Sequence, residues 1–419
     1  MSSFFRPPRR RGDAPRLQLP RRAGQGIELS WLPGYLAPFL SLLGLIVVAI
    51  VSINLVNGQL PILPGPGSSG QGGPVRTATP SNVVVIDPRA DVKGSILYVK
   101  AGNIWVQSGA QASQLTTGGR DADPTWSRDG RFIYFVREHP EPGRFVVSGL
   151  IKDFDLQIPT LYRMAPDGSG LKAIKEGRYT LGRYLWSYFI RQPSISADGK
   201  TAAIISDGPV PTRSDIVVKL LNLATGDITN PQLPELGGLG HQDPAFSPDG
   251  RSIVYVKNAR EGARGVPTIV RYTLSSKATK ALTGPGYIEP AWSPDGRYIA
   301  ATQSGSNGTD IVLLDARTGA EVLRLTNDQS SFAPAWSPAG DAIAFQRIDR
   351  GVIDLWLVKL DGSSGAWTVG ESFALTVSAG LDGASRESWF IPADQLPPPT
   401  PTPAPTVAPS GGGASPQPS

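Results

Sequence analysis

One pattern of 17 residues occurs five times in this chain. It is clearest in YIEPAWSPDGRYIAATQ, residues 287–303, and the other copies are DADPTWSRDGRFIYFVR from Asp121, RQPSISADGKTAAIISD from Arg191, HQDPAFSPDGRSIVYVK from His241 and SFAPAWSPAGDAIAFQR from Ser331. The turn glycines of the copies are separated by 69, 51, 46 and 44 residues; they are Gly130, Gly199, Gly250, Gly296 and Gly340. Self-similarity at a period of roughly 40 to 50 residues predicts an array of repeated supersecondary units.

Each copy has the pattern of two β-strands joined by a tight turn. Pro-Ala-Trp-Ser forms a short apolar strand, and Ser-Pro-Asp-Gly forms the turn because Pro presets φ and Gly accepts a positive φ. Arg-Tyr-Ile-Ala-Ala then alternates polar with apolar residues, which is typical of a strand. A second pair of strands fits the rest of each period, so the repeat predicts four antiparallel strands per unit, the composition of a propeller blade.

The run from Pro290 to Gly296, Pro-Ala-Trp-Ser-Pro-Asp-Gly, resembles the WD-like repeat of the TolB-type six-bladed propeller. The resemblance extends over about three hundred residues, from Asp91 to Asp394. It implies an all-β, six-bladed β-propeller with four-stranded antiparallel blades. Two copies depart from the pattern, since Ile195 replaces the aromatic residue and Ala339 replaces the turn aspartate.

The two ends of the repeat array predict how the ring closes. Ser95–Lys100 matches Ser252–Lys257, the second strand of a later unit, but no innermost strand precedes it. Near the other end, the segment 385–390 carries Trp389 where an innermost strand has its tryptophan. We therefore expect a C-terminal strand to complete the first blade, which protects the sheet edges that an open array would expose.

The first period is longer than the others, yet the excess is too short for another blade. We assign the excess, residues 138–158, to a loop. The connection that follows, GRYTLGRYLWSYFI at 177–190, crowds five aromatic residues together. Because loops on a rigid scaffold often carry binding residues, we predict Tyr184, Trp186 and Tyr188 as candidates for partner binding. Packing of these aromatic rings against neighbouring blades is the alternative.

Positive charge is concentrated at the N-terminus. Residues 1–28 contain seven arginines against Asp13 and Glu28, a net charge of +5 that equals the net charge of the whole chain. The remaining residues are neutral overall, so we expect no nucleic-acid binding by the propeller.

Between residues 29 and 75 there is no charged side chain, and Leu36 to Val56 is a 21-residue, predominantly apolar stretch. This length is close to the ~20 residues with which a helix crosses a bilayer.

These features predict a single-pass membrane protein. We interpret residues 35–56 as an uncleaved transmembrane signal anchor, because the apolar region is longer than that of a cleaved signal and no Ala-x-Ala site follows. The positive-inside rule then places the basic tail, residues 1–34, in the cytoplasm and the rest outside it. A buried core helix and a nucleic-acid-binding arm are the alternative interpretations of the two segments. A Gly/Pro/Ser linker (57–82), the propeller (83–394) and a Pro-rich tail expected to be disordered (395–419) complete the chain.

The residue types exclude several kinds of chemistry. Without cysteine there is no disulfide and no thiol nucleophile. With only His139 and His241, a three-histidine zinc site is impossible. No Gly-x-Ser-x-Gly motif is present. We therefore predict no catalytic residues, no metal site and no cofactor.

Polar residues precede the innermost strands, where a propeller brings the chain close to its central channel. These positions are Asp121, Asp123, Gln192, His241, Asp243 and Glu289, with Phe332 in the last copy. We predict that Asp121, Asp123, His241, Asp243 and Glu289 form a polar rim that receives a cation, a basic peptide or sugar hydroxyls. In the alternative interpretation, the acids cap strand ends or pair with nearby arginines.

Two functions follow as expectations. The resemblance to TolB implies a membrane-anchored, extracytoplasmic propeller that acts as a non-enzymatic binding platform for another protein of the bacterial cell envelope. The alternative is a glycan- or peptide-binding propeller, including a hydrolase or lyase, with Asp123, His241, Asp243 and Glu289 at the channel mouth; carboxylate pairs are sufficient for glycosidic chemistry. A sensor that relays ligand binding through the helix to the tail is a third option.

Overall fold

A computed structural model describes residues 87–231, 233, 240–258, 267–362 and 367–397. The predicted basic tail, signal anchor and linker, and all but the first residues of the Pro-rich tail, lie outside this part of the chain. Within the described ranges, no helix has both the length and the apolar character needed to cross a membrane.

Almost all regular structure in these ranges is β-strand. The strands in chain order are β1 (Ser95–Lys100), β2 (Asn103–Ser108), β3 (Gln111–Gln114), β4 (Asp121–Trp126), β5 (Ile133–Val147), β6 (Leu150–Met164), β7 (Lys172–Glu176), β8 (Arg178–Leu181), β9 (Tyr184–Ser187), β10 (Arg191–Ile195), β11 (Thr201–Ser206), β12 (Val217–Asn222), β13 (Ile228–Thr229), β14 (His241–Phe246), β15 (Ser252–Lys257), β16 (Thr268–Thr273), β17 (Ala278–Ala281), β18 (Tyr287–Trp292), β19 (Tyr298–Ser304), β20 (Thr309–Asp315), β21 (Glu321–Arg324), β22 (Ser331–Trp336), β23 (Ala342–Asp349), β24 (Val352–Asp361), β25 (Thr368–Ala374) and β26 (Ser388–Phe390). Two short 3-10 helices, Pro88–Asp91 and Ala393–Gln395, flank the strands.

The strands of the described residues form six antiparallel sheets, one per blade. Blades 3 to 6 are the consecutive quartets β10–β13, β14–β17, β18–β21 and β22–β25. Blade 1 has the order β26-β1-β2-β3, with Ile96 opposite Trp389. The all-β six-bladed propeller is thus confirmed, and so is the closure of blade 1 by a C-terminal strand.

The second strand of each blade explains the apolar runs in the repeat. In β15, Ile253, Val254, Tyr255 and Val256 are all buried. Such a strand has a neighbouring blade on each face, so both sets of alternating side chains enter a core. Ile253 and Tyr255 pack towards blade 3, while Val254 and Val256 pack towards blade 5.

The Ser-Pro-Asp-Gly turns are held by their own side chains. In blade 4, Ser247 Oγ donates to Asp249 Oδ1 at 2.6 Å, and the amide of Arg251 donates to the same oxygen at 3.0 Å. Gly250 has a φ of +69°, which favours glycine. The repeated aspartates are therefore turn residues.

Blade 2 differs from the prediction. Residues 138–158 form no loop, because β5 and β6 continue as a regular antiparallel ribbon from Ile133 opposite Met164 to Val147 opposite Leu150. A second hairpin, β8–β9, joins the ribbon through Arg144 opposite Leu185. We call the ribbon beyond the blade, residues 138–158, together with the β8–β9 hairpin, the arm. The ten residues from Glu138 to Val147 extend it by about 30 Å.

Candidate binding site at the channel mouth

The innermost strands of blades 2 to 6 share one irregularity. Each contains a β-bulge at a residue whose φ lies between +51° and +54°, and these residues are Asp123, Gln192, Asp243, Glu289 and Ala333. A proline follows each one. Proline has no amide hydrogen, so it fits the position where the ladder skips a hydrogen bond. We call these five residues the channel belt.

Side chains of the belt connect the blades in sequence. Asp123 Oδ2 accepts a hydrogen bond from the amide of Gln192 at 2.8 Å, and Gln192 Oε1 accepts one from the amide of Asp243 at 2.9 Å. Asp243 Oδ2 accepts from the amide of Glu289 at 3.3 Å, and Glu289 Oε2 accepts from the amide of Ala333 at 2.8 Å. Each bulge amide in this series is thereby satisfied by the preceding blade, which links blades 2 to 6 around the channel.

Blade 1 places a cation at the corresponding position. Arg386 stands three residues before Trp389, as Asp123 stands three residues before Trp126. Arg386 Nη1 donates to the carbonyl oxygen of Pro290 in blade 5 at 3.0 Å. Its charge lowers the pKa of Asp123, Asp243 and Glu289 and so opposes the effect of burial on each. The arginine therefore extends into the channel and acts as the counterion of the belt.

Burial nevertheless controls the ionisation of the belt acids. It raises the pKa of Asp123 to about 6, against the opposing hydrogen bond from the amide of Gln192. The pKa of Asp243 is also raised by burial, and that of Glu289 is raised by burial and by the charge of Asp243. Asp123 and Glu289 are only half-buried by surface area, since they face the channel, but protein surrounds them on the other sides.

The channel opens into a cavity on each side of the belt. The wide mouth, at the start of the innermost strands, holds a cavity of about 800 Å³ with Arg120, Asp123, Glu138, Gln157, Arg191, Gln192, Asp215 and Gln242 in its lining. The narrow mouth, at the Ser-Pro turns, holds a cavity of about 380 Å³ with Trp126, Arg128, Phe246, Trp292, Trp336, Arg386 and Glu387 in its lining. Both linings mix polar and apolar residues, and the blade tryptophans belong to the narrow mouth.

Two of the predicted rim residues have structural partners. Asp121 is buried, and its carboxylate accepts from Arg137 Nε at 2.5 Å and from Nη2 at 2.9 Å. His241 is 2% exposed, its Nδ1 accepts from the amide of Val218 at 3.3 Å, and its ring packs on Tyr255. Burial, with Lys257 and Lys219, lowers the pKa of His241 to about 4, so this imidazole is neutral at pH 7.

The structure therefore divides the predicted rim into two groups. It brings Asp123, Asp243 and Glu289 together in the belt, and it places Asp121 and His241 at the wide mouth, held by other residues. Sequence reasoning missed Arg386 and Glu387. The available signal was the alignment of Trp389 with the other innermost tryptophans, which puts Arg386 at the position of Asp123.

Glu387, next to Arg386, is a further buried acid of the channel. It is 7% exposed, and neither carboxyl oxygen has a hydrogen-bond partner among the described residues. Burial raises its pKa to about 8, with the neighbouring Gln346 side chain opposing the shift. Glu387 is therefore predominantly protonated at neutral pH.

No group of three or more His, Cys, Asp or Glu residues suitable for a metal ion occurs in the ranges that the structure covers.

Two of the three aromatic candidates, Tyr184 and Trp186, lie on the arm, and Tyr188 directly follows it. Trp186 packs edge-on against Phe154 with 4.8 Å between ring centroids, and it lies 5.5 Å from the Phe145 ring. Tyr184 also contacts Phe145, at 6.3 Å between centroids. Tyr188 is buried, and its hydroxyl donates to the carbonyl of Glu176 at 2.8 Å. The rings of Tyr184 and Trp186 fasten the β8–β9 hairpin to the ribbon. Tyr188 instead packs in the core shared by blades 2 and 3. A part in partner binding remains a prediction for all three.

Comparison with known proteins shows a shared fold. No protein-family model and no curated protein matches the sequence. Among solved structures, the chain is similar to TolB from Acinetobacter baumannii, with a TM-score of 0.50 and 18% identity, over 71% of this chain and 66% of that one. This chain thus spans slightly less than two thirds of that protein.

Two further structures also match. One is ascribed to TolB of Agrobacterium tumefaciens, with a TM-score of 0.49 and 20% identity over 72% of this chain and 95% of that one. The other is an oligogalacturonate lyase in complex with manganese, with a TM-score of 0.41 and 16% identity over 62% of this chain and 83% of that one. At these identities the similarity concerns the fold, which is that of a TolB-like six-bladed β-propeller.

Proposed function

We propose that this chain is a membrane-anchored, extracytoplasmic propeller that binds another protein of the cell envelope at its wide mouth and does not catalyse a reaction on it. The observation that carries the proposal is the pairing of an open cavity of about 800 Å³, with exposed charged and polar side chains in its lining, with an arm beside it. Glu138 and Gln157, at the base of the arm, belong to the cavity lining. The cavity and the arm therefore form one concave face for a protruding segment of a partner.

The channel belt supports a non-enzymatic role. A general acid or base must reach the proton that it transfers. Asp123, Asp243 and Glu289 instead accept hydrogen bonds from backbone amides of the next blade. Moving any of these carboxylates towards a substrate would leave a buried amide unsatisfied, at a cost of about 1–3 kcal/mol.

The side chains that remain available at the wide mouth favour a polar protein surface as the ligand. Arg120, Arg191 and Gln242 are exposed there. Arg191 stacks over the Phe189 ring at 4.3 Å, which leaves its guanidinium edge free for hydrogen bonds. The fold shared with TolB, and the uncharged apolar stretch at Leu36–Val56, support an envelope location for this surface.

A pair of matched charge reversals tests the proposal. Arg120 and Arg128 are both exposed, but Arg120 lines the wide mouth and Arg128 the narrow one. The full chain and its Arg120→Glu and Arg128→Glu variants would each be used to capture proteins from a detergent extract of the source organism's envelope. We expect one protein to be retained stoichiometrically by the wild type and by Arg128→Glu, and lost with Arg120→Glu. Equal retention by both variants would place the partner elsewhere.

One observation favours the second candidate function, a glycan- or peptide-processing propeller. Asp123 lines the wide mouth with a pKa raised to about 6, and a perturbed acid in a cleft is a candidate catalytic group. A screen of oligosaccharides and peptides for turnover, repeated with Asp123→Asn, tests this candidate. Turnover that disappears in the variant, with the fold unchanged by circular dichroism, would replace the platform proposal.

A further inference from the structure

The tip of the arm exposes four aliphatic side chains. Val146 and Val147 end β5, Leu150 and Ile151 begin β6, and they are 38%, 37%, 64% and 52% exposed. Val147 lies opposite Leu150, and Val146 opposite Ile151. Successive residues of a strand point to opposite faces, so each pair occupies a different face of the ribbon. The tip is therefore apolar on both faces. A patch that fits against one flat protein surface needs only one apolar face.

A tight turn and packing directly behind it support this tip. The turn between the strands is only two residues long, Ser148 and Gly149, both with positive φ, as in the tight turns that match the twist of a hairpin. Directly behind it, Phe145 is buried against the rings of the β8–β9 hairpin, and Arg144 Nε bonds Asp153 Oδ1 at 2.6 Å on the opposite face. The aliphatic side chains are thus presented outside the blade, at the end of a packed ribbon.

Basic residues form a collar behind the apolar tip. Lys152 follows Ile151 and is exposed, and Arg183 is exposed in the β8–β9 turn, next to the end of β5. Neither has an ion-pair partner among the described residues, whereas the neighbouring Asp153 is paired with Arg144. The collar therefore carries a net positive charge.

We propose that the arm tip inserts into the interfacial region of a bilayer that contains anionic lipids. Two residues per strand beyond the collar correspond to about 7 Å, which matches the ~5–10 Å that interfacial apolar segments reach below the headgroups. At this depth the collar lies at the level of the lipid phosphates, and water still solvates the free edges of the ribbon. The proposal concerns a different surface from the wide mouth and does not depend on a partner there.

The absence of cysteine from the chain makes a direct test available. The full chain with Leu150→Cys, labelled with an environment-sensitive fluorophore, would be reconstituted in anionic vesicles whose acyl chains carry bromine. Val377→Cys is the matched control, because Val377 is an aliphatic residue that follows β25 of blade 6 and is 75% exposed, whereas the arm belongs to blade 2. We expect bromine quenching, a blue shift and severalfold weaker quenching by aqueous iodide for the label at 150, and none of these for the label at 377.

Two results would overturn the proposal. Equal iodide quenching at both positions would leave the tip in water. Shielding of position 150 from iodide without bromine quenching would mean that a protein surface, such as a second copy of the chain, covers the tip. The variants Lys152→Glu and Arg183→Glu, made in the labelled Leu150→Cys chain, test the collar. We expect them to weaken the bromine quenching severalfold in anionic vesicles and not in neutral ones; unchanged quenching in anionic vesicles would exclude a contact with charged headgroups.

Discussion

Gln192 and Asp243 bond each other in both directions across the boundary between blades 3 and 4. Gln192 Nε2 donates to Asp243 Oδ1 at 2.7 Å, and the amide of Asp243 donates to Gln192 Oε1 at 2.9 Å. A side-chain amide is suited to this role because it carries a donor and an acceptor together. The pair shows how the channel belt works: each bulge breaks a sheet ladder and directs the freed amide to the preceding blade.

Replacing Gln192 by alanine is expected to destabilise the propeller by about 1–3 kcal/mol, because the buried amide of Asp243 loses its acceptor. The free energy of unfolding in urea would measure the change. Gln242→Ala is the matched control, since this side chain is exposed in the adjacent blade, and we expect a change of at most about 0.5 kcal/mol from it. Equal effects of the two variants would show that the belt hydrogen bonds do not stabilise the ring.

Glu387→Gln should stabilise the protein at alkaline pH. The pKa of Glu387 is raised from its ordinary value of 4.5 to about 8, so the folded state binds the proton more tightly than the unfolded state. The wild type therefore loses stability as the pH rises from 4.5 to 8, and the neutral glutamine does not.

Unfolding curves between pH 5 and pH 9 would measure this difference. We expect the variant to be more stable than the wild type by on the order of 1–3 kcal/mol above pH 8 and to lose that advantage towards pH 5. A constant difference across the range would contradict a protonated Glu387.

Arg386→Met should destabilise the propeller most above neutral pH. Arg386 lowers the pKa of Asp123, Asp243 and Glu289, and without it their folded-state pKa values rise further above the unfolded ones. The cost of holding these acids ionised is therefore largest at pH 8 and falls as they become protonated towards pH 5. We expect a loss of on the order of 1–3 kcal/mol at pH 8 and a smaller one at pH 5, and a loss that grows on acidification would refute the counterion role.

Trp186→Ala should loosen the arm and leave the blades intact. The indole ring contacts both Phe145 and Phe154 and fastens the β8–β9 hairpin to the ribbon. Amide hydrogen exchange is expected to accelerate in residues 144–154, while exchange in β15 and β19 stays unchanged. Acceleration throughout the propeller would show that the arm is part of one cooperative unit with the blades.

The repeat made the blades predictable because each innermost hairpin is encoded locally. The Ser-Pro-Asp-Gly turn and the four-residue apolar strand lie within 17 residues of each other, and Trp389 in an isolated segment was enough to predict the closing strand. The arm was not predictable in this way. Pro140, Pro142 and Gly143 break the strand pattern of β5, yet a ribbon with free edges tolerates proline where no ladder hydrogen bond is needed.

The residues of the channel belt could be predicted only in part from the sequence. The acids before each proline indicated positions near the axis, but their partners are backbone amides 44 to 69 residues away. Whether an acid faces a ligand or the next blade depends on where those amides lie. The sequence does not show which backbone amides a bulge frees from the sheet ladder. Arg386 was overlooked because its segment lacks the Pro-Asp-Gly turn of the other copies.

The central claim, that the wide mouth is the binding surface, is tested most directly by site-specific photo-crosslinking in the source organism. A photoreactive amino acid would replace Gln242 at the wide mouth or Arg128 at the narrow mouth of the full chain, both exposed positions. The account predicts one discrete crosslinked protein from position 242 and none from position 128. The same crosslinked protein from position 128 alone would contradict it.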